Sequence, residues 1–298
     1  MKDNMMVSIS CTTYNHVAYI HQCLDGFLMQ KCNFNYEILI HDDASTDGTI
    51  DIIKEYQEKY PEIIKPYIQK ENQWSQGVRG MNAKYNFSRA KGKYIAMCEG
   101  DDYWIDPLKL QKQVDFLEVH EDYVLCFHKV SILKTNGEIV EDFITKVPEN
   151  YQYRETLAKN SNYIHTPSVL FKNVIKDKLN IPEFTNSPIG DYFLYLLLTK
   201  YGKIGYLQEI MAVYRHGVGV YSSLNLINKV KKEILLFSNL YAYEKDSNLK
   251  QIFYNNMESS LSYLINALEV NENKSRLLET RRHILIEKIY RLLKFQKK

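Results

Sequence analysis

Two short acidic segments carry the residue types from which group-transfer chemistry is built. The first is Asp42-Asp43-Ala44-Ser45-Thr46-Asp47-Gly48-Thr49, and the second is Glu99-Gly100-Asp101-Asp102-Tyr103-Trp104. Glu99, Asp101 and Asp102 are close enough along the chain to repel one another, and a hard divalent cation relieves that repulsion. Oxygen ligands of this kind suit Mg2+ or Mn2+, which typically keep several waters and a substrate diphosphate in their shell. An ionised Asp43 is an acceptor only, so it can take an imide N–H or ribose hydroxyls. Plainer roles compete. Asp47 or Ser45 can cap a helix starting at Thr49, and the second segment taken alone can be a solvated loop.

The surrounding elements say where these segments sit. Residues 7–12 read as a strand, followed by helical periodicity through Ile20, Leu24, Phe27 and Leu28. A second strand is expected over 36–41, a helix over 49–60 closed by Pro61, and a third strand over 64–69. A short helix at 83–90 and a fourth strand at 94–98 complete the alternation. That order predicts an α/β fold with parallel strands and helices on both faces. Ligands in such sheets bind beyond the carboxyl ends of the strands, which is where both acidic segments fall.

From Tyr123 the pattern changes. A strand over 124–133 turns at Lys134-Thr135-Asn136-Gly137, and further strands at 168–172 and 204–214 flank a helix at 192–200. Beyond Leu224 only helical stretches are expected, near 224–246, 249–271 and 274–296. The predicted organisation is a mixed α/β domain over 1–222 and a helical appendage over 223–298.

Composition narrows the class. With 45% hydrophobic and 25% charged residues and only 12 Gly and 7 Pro in 298, a disordered or low-complexity chain is excluded. Cys11, Cys23, Cys32, Cys98 and Cys126 are odd in number and lack CxxC pairing, which favours a reducing compartment over a disulfide framework or zinc ribbon. The start has no apolar signal region, and no run approaches the roughly 18 apolar residues of a spanning helix, so cytoplasmic residence is expected. The net charge of +2 joins a mildly acidic body to a basic tail holding Arg281, Arg282, Lys288, Arg291, Lys294, Lys297 and Lys298. That is not the footprint of a nucleic-acid binder. Ile284, Leu285, Ile289, Leu292 and Leu293 make the tail an amphipathic basic helix, suited to peripheral contact with an anionic membrane surface. The same apolar side could pack on helices 224–271 or on a second subunit, as in a homodimer.

Taken in order, strand–T-x-Y-N–helix, strand–DDASTDGT–helix and strand–EGDDYW resemble the nucleotide-sugar-binding half of bacterial family 2 glycosyltransferases of the GT-A fold. Gly80 and Asn86 in GMNAKYNFSRAKGKYIA are similar to the family's G…RN…A.G.YI segment. Gly190-Asp191-Tyr192 resembles its acidic motif opening a helix, and Tyr214-Arg215-His216 with Ser222 its closing YR.H…S motif. The resemblance covers about residues 6–222.

The resemblance implies a Rossmann-like mixed sheet and a role for each matched residue. Thr12, Tyr14 and Asn15 would line the nucleotide floor, and Asp43 would bind the base. Asp101 would bind Mn2+ or Mg2+, with His216 touching the metal or the diphosphate. Glu99 stands where the family usually has the first Asp of D-x-D, and would face ribose or a metal-bound water beside Asp102. Asp191 would be the catalytic base, taking the proton of an acceptor hydroxyl too weakly acidic to attack unaided. Arg79 lies with Trp74 and Gly77 in a polar loop that could close over a donor. Trp104 could stack on a sugar, and His165 sits in a segment resembling the acceptor side.

The implied activity is inverting, metal-dependent transfer of a sugar from a nucleotide-diphosphate donor, UDP being commonest in the family. The acceptor would be a glycan or lipid-linked hydroxyl in bacterial surface polysaccharide synthesis. Two further readings stand beside it: a nucleotidyltransferase making sugar nucleotides, and a catalytically inactive nucleotide-sugar-binding or scaffold protein on the same fold. The first would want a glycine- and arginine-rich loop where this chain has Thr12-Thr13-Tyr14-Asn15. A glycoside hydrolase also needs two carboxylates, but gains nothing from a base-binding Asp or a metal-binding trio.

Overall fold

The computed structural model describes residues 5–175, 178–219 and 221–272. They form two compact units, one made by the chain up to Thr185 with Gly190–Ser223, the other by Asn186–Ile189 with the chain from Leu224 on. In chain order the first unit contains β1 (Met5–Thr13), α1 (Ile20–Leu28), β2 (Asn35–Asp42), α2 (Thr49–Lys59), β3 (Ile64–Ile68), β4 (Tyr94–Met97), β5 (Tyr103–Trp104) and α3 (Lys109–Val119). It continues through β6 (Tyr123–Leu133), β7 (Ile139–Glu141), α4 (Arg154–Asn160), β8 (Leu170–Lys172), α5 (Pro182–Thr185), α6 (Gly190–Leu198) and β9 (Lys203–Arg215). The second unit holds α7 (Leu226–Tyr243) and α8 (Ser247–Glu272).

One nine-stranded mixed sheet runs β3-β2-β1-β4-β8-β6-β9-β5, with β7 paired to β6. The first four strands of that path are parallel, β8 runs antiparallel to β4 and β6, and β9 lies parallel to β6. The α/β class expected from the alternation is therefore what the chain adopts. Val7 to Cys11 are buried residue after residue, because β1 is paired on both edges and covered on both faces. In α1, Ile20, Cys23, Leu24 and Phe27 fall at helical spacing and are fully buried. Full burial of a side chain such as Leu24 or Phe27 stabilises the fold by about 1.5–3 kcal/mol.

Several elements differ from the sequence reading. The short helix expected at 83–90 is a π-helical turn, Asn82–Asn86, running into a 3-10 turn, Phe87–Arg89. α3 has no counterpart among the expected helices, because Lys109 and Gln113 share its buried face with Leu110, Val114 and Leu117 and break the apolar stripe. α4 likewise has none. The hairpin at Lys134–Gly137 does form: Gly137 N–H donates to Lys134 O across 2.9 Å, with Gly137 at φ 86.

In the second unit α7 is capped by Asn225, whose side chain accepts the Asn228 N–H at 2.9 Å. α7 and α8 pack on each other, with the Tyr241 and Tyr254 rings 6.3 Å apart and Lys250 over Tyr241. The helix expected at 274–296 and the basic stretch 281–298 lie outside the described residues.

Candidate active site

The carboxyl ends of β1 and β2 are stitched together by Asn15. Its φ of 54 puts it in the left-handed region that Asn tolerates. From there its N–H reaches Ser45 Oγ at 2.9 Å, and its Oδ1 accepts the Thr46 N–H at 2.8 Å. Asp42 holds the same turn, accepting from both the N–H and the hydroxyl of Ser45. Asp47 accepts from Thr49 N–H at 3.0 Å at the start of α2, close to the expected capping role, and also from Val17 N–H. Tyr14 is 43% exposed beside this stitched edge, and Thr12 O accepts the Gly100 N–H at 2.9 Å.

Asp43 is buried, and both its oxygens are engaged. Oδ1 accepts the Gln73 N–H at 2.8 Å and Oδ2 the Trp74 N–H at 3.0 Å, so the loop after β3 is tied to the end of β2. Arg79 closes that loop on itself. It donates to the carbonyls of Trp74 and Val78, and its guanidinium lies 3.7 Å from the Trp74 ring centroid.

Beyond β4 the chain turns so that Glu99, Asp101 and Asp102 bring ligand oxygens within 4.8 Å of one another. Burial raises the Glu99 pKa to about 8, with further pushes from the charges of Asp101 and Asp191. Burial also lifts Asp102 well above the usual carboxylate range, the Asp101 charge adding to it. Asp102 Oδ1 accepts the Arg215 N–H at 2.7 Å, whereas its Oδ2 is buried with no hydrogen-bond partner among the described residues. Crowded, desolvated carboxylates with an orphaned oxygen fit a hard divalent cation, whose charge would remove the cost of ionising all three. Thr13 Oγ1 and His16 Nδ1, both within about 3 Å of the place a Gly100 Cβ would take, are likewise buried and unpartnered, so polar atoms converge on this spot.

Asp191 lies in the first turn of α6, and its charge is felt at Glu99. Burial raises its pKa, against the opposing effect of the Tyr192 and Asp191 amides, the Asn162 side chain and His165. Asn162 Nδ2 donates to Asp191 Oδ2 at 3.0 Å. Glu99, Asp101, Asp102 and Asp191 thus form one electrostatic neighbourhood, while Asp43 stands at the end of β2 with the loop that follows β3.

His216 follows β9 directly, its backbone N–H pairing with Leu133 O and its ring meeting Phe143 edge-on at 5.5 Å. One sequence expectation is corrected. Trp104 is 2% exposed, donates Nε1–H to Pro167 O at 2.8 Å and packs against Phe27, so it is core and not open to a sugar. His165 pairs through Nε2 with Asp142 at 2.9 Å, and its ring lies tilted against Tyr214 at 4.8 Å.

Sequence reasoning misses Arg215, Asn162 and His16. Arg215 is buried, donates to Asp101 O and Gln22 Oε1, and sits between the Tyr19 and Tyr103 rings. Its place next to His216 in the closing motif is the available signal; nothing local marks Asn162 or His16.

The glycosyl transferase family 2 model matches residues 8–178. The chain belongs to that family. It is 37% identical over 226 residues to an uncharacterized protein of Mycobacterium tuberculosis, Rv1520, the match covering 73% of this chain and 61% of that protein. This chain therefore spans less than two thirds of the length of that relative. It is 30% identical over 211 residues to TuaG of Bacillus subtilis, named as a teichuronic acid biosynthesis glycosyltransferase, covering 70% of this chain and 79% of TuaG. Among solved structures it is similar to S. aureus TarS 1–349 in complex with UDP-GlcNAc, with TM-score 0.64, 18% identity and coverage of 93% and 78%. It is also similar to the mannosyltransferase PcManGT of Pyrobaculum calidifontis in complex with GDP-Man and Mn2+, with TM-score 0.59, 16% identity and coverage of 96% and 82%. At those identities the likeness establishes the GT-A fold of the family.

Proposed function

We propose that this chain is an inverting, divalent-metal-dependent glycosyltransferase. It moves a sugar from a nucleotide-diphosphate donor, UDP foremost, to a hydroxyl of a glycan or lipid-linked acceptor in bacterial surface polysaccharide synthesis. The carrying observation is the set of carboxylates at Glu99, Asp101 and Asp102, within 4.8 Å of one another and within electrostatic reach of Asp191. The UDP-GlcNAc bound by TarS, the GDP-Man and Mn2+ bound by PcManGT, and the teichuronic acid biosynthesis in the name of TuaG support the donor, metal and pathway parts.

Thr12, Tyr14, Asn15 and Asp43 make the nucleotide floor. Asp43 keeps lone pairs for a base imide beyond its two loop amides, since an ionised carboxylate offers about four acceptor sites. A cation held by Glu99, Asp101 and Asp102 would offset the charge gathering on the leaving diphosphate. Asp191 takes the proton of the attacking hydroxyl; burial strengthens it as a base, and Asn162 fixes which oxygen faces the reaction. Attack from the face opposite the leaving group inverts the anomeric centre. The enzyme works in the cytoplasm, peripherally at the inner face of the membrane, and its second unit carries α7 and α8. Among the described residues no helix is long and apolar enough to cross a membrane.

Water serves as a test acceptor. Incubated with Mn2+ and an α-linked UDP-sugar, the enzyme should release the β-anomer first, read by NMR before mutarotation. First release of the α-anomer contradicts inversion.

A further inference from the structure

A cavity of about 380 Å³ opens among β6, β7, β9 and the segments at 142–147 and 163–165, apart from the nucleotide floor. Its wall includes Phe127, Tyr163 and Tyr206, with Lys129, Glu141 and Lys146 around it. Phe127 and Tyr206 stack at 4.7 Å and Tyr163 lies 5.9 Å from Phe127, but Phe127 and Tyr163 are each 2% exposed, so the partly exposed Tyr206 is the ring of the three that borders the open space. The β6–β9 pairing shifts register at His128/Lys129 and Lys129/Val130, the kind of irregularity that re-aims side chains beside functional sites. His128 lines the cavity and is buried. Its Nδ1 is bonded to Lys129 O, while Nε2 has no hydrogen-bond partner among the described residues.

We infer that this cavity binds the sugar ring of the acceptor. The inference rests on the glycosyltransferase reading above and adds the acceptor's place and chemical class. Every lining residue lies between Phe127 and Ile210, so none comes from the strand ends that carry Asp43 and Asp101. His165 is the link to the chemistry: it lines the cavity, and its charge is felt at Asp191. A pyranose presents an apolar C–H face and a rim of hydroxyls. It therefore matches the Tyr206 ring edged by a carboxylate and two ammonium groups, in a space at the small end of the roughly 300–1,000 Å³ usual for ligand pockets. Asp142 is already occupied by His165 and Thr145, which leaves Glu141, Lys129 and Lys146 to meet hydroxyls.

The test uses methyl glycosides of glucose, mannose and N-acetylglucosamine as probes, followed by saturation-transfer NMR on the full chain with UDP as an internal control. At least one glycoside should receive saturation, falling about tenfold in both Tyr206→Ala and Lys146→Ala while the UDP signal persists. Lys146 is not buried, so its variant keeps the test meaningful should the Tyr206 variant fold poorly. Absence of glycoside transfer from a protein that binds UDP, or transfer unchanged in both variants, overturns the cavity assignment and leaves the donor reading standing. Variant-sensitive glycoside binding in a protein that binds neither UDP nor GDP supports the cavity and overturns the donor reading.

Discussion

The side chain of Asn162 donates to Asp191 Oδ2 across 3.0 Å, tying the segment before the 3-10 turn at Thr166–Ser168 to the first turn of α6. The bond restrains the carboxylate proposed as the base, whose charge is felt at Glu99. Asn162→Ala should therefore lower kcat about 10–100-fold, with the KM for the donor little changed, because a mis-aimed base loses proton-transfer geometry and not donor contacts. Steady-state kinetics on donor turnover checks this; a rise in donor KM at constant kcat would place Asn162 on the donor side.

Arg215 joins Asp101, Asp102 and Gln22 from the end of β9. Two of these contacts use the guanidinium fork, which Lys cannot reproduce. Arg215→Met should cost about 3–5 kcal/mol in urea unfolding, since it removes a buried charge from beside buried carboxylates. Arg215→Lys should recover only part of that loss. A variant as stable as the parent would show that the acid cluster does not depend on this cation.

Lys109 offers a pH test of the fold. It is fully buried, bonded to Gln113 Oε1 at 2.6 Å and 4.0 Å from the Trp104 ring centroid. Burial pushes its pKa down from 10.5 to about 7. Between those two values the unfolded chain holds a proton that the folded chain does not, so stability rises with pH across that window, by at most about 1.4 kcal/mol per unit. Below about 7 both states are protonated and the contribution flattens. Relative to Lys109→Met, the wild type should gain about 2 kcal/mol between about pH 7.5 and about pH 9 in denaturant titrations. Parallel pH dependence in the two proteins would show that Lys109 stays charged in the fold.

The parts legible in the sequence are those carried by local pattern. β1 and β2 stand out as β-branched runs, and the acidic segments follow β2 and β4 directly, so strand periodicity alone places Asp43 and Asp101 at strand ends. What stays hidden depends on distant packing. α3 buries Lys109 and Gln113, and a helix with polar residues on its inner face has no clean apolar period. Trp104 looks available for a sugar because it follows an acidic cluster, but Gly26 lets α1 approach so closely that a Cβ there would lie 2.9 Å from Trp104 O. His216 follows β9 as expected, yet its ring faces Phe143, while its neighbour Arg215 makes the contacts to the acids. A motif marks a stretch of chain; which side chain turns inward is set by strand alternation and by partners far away in sequence.

Thermal unfolding with a UDP-sugar, in the presence and absence of Mn2+, reads out whether Glu99, Asp101 and Asp102 hold a cation against a nucleotide diphosphate. Wild type should gain about 5 °C with both ligands and much less with either alone, and Asp101→Ala should lose the joint gain while unfolding near the parent's own temperature. A UDP-sugar shift that ignores Mn2+, or one that survives intact in Asp101→Ala, would contradict it.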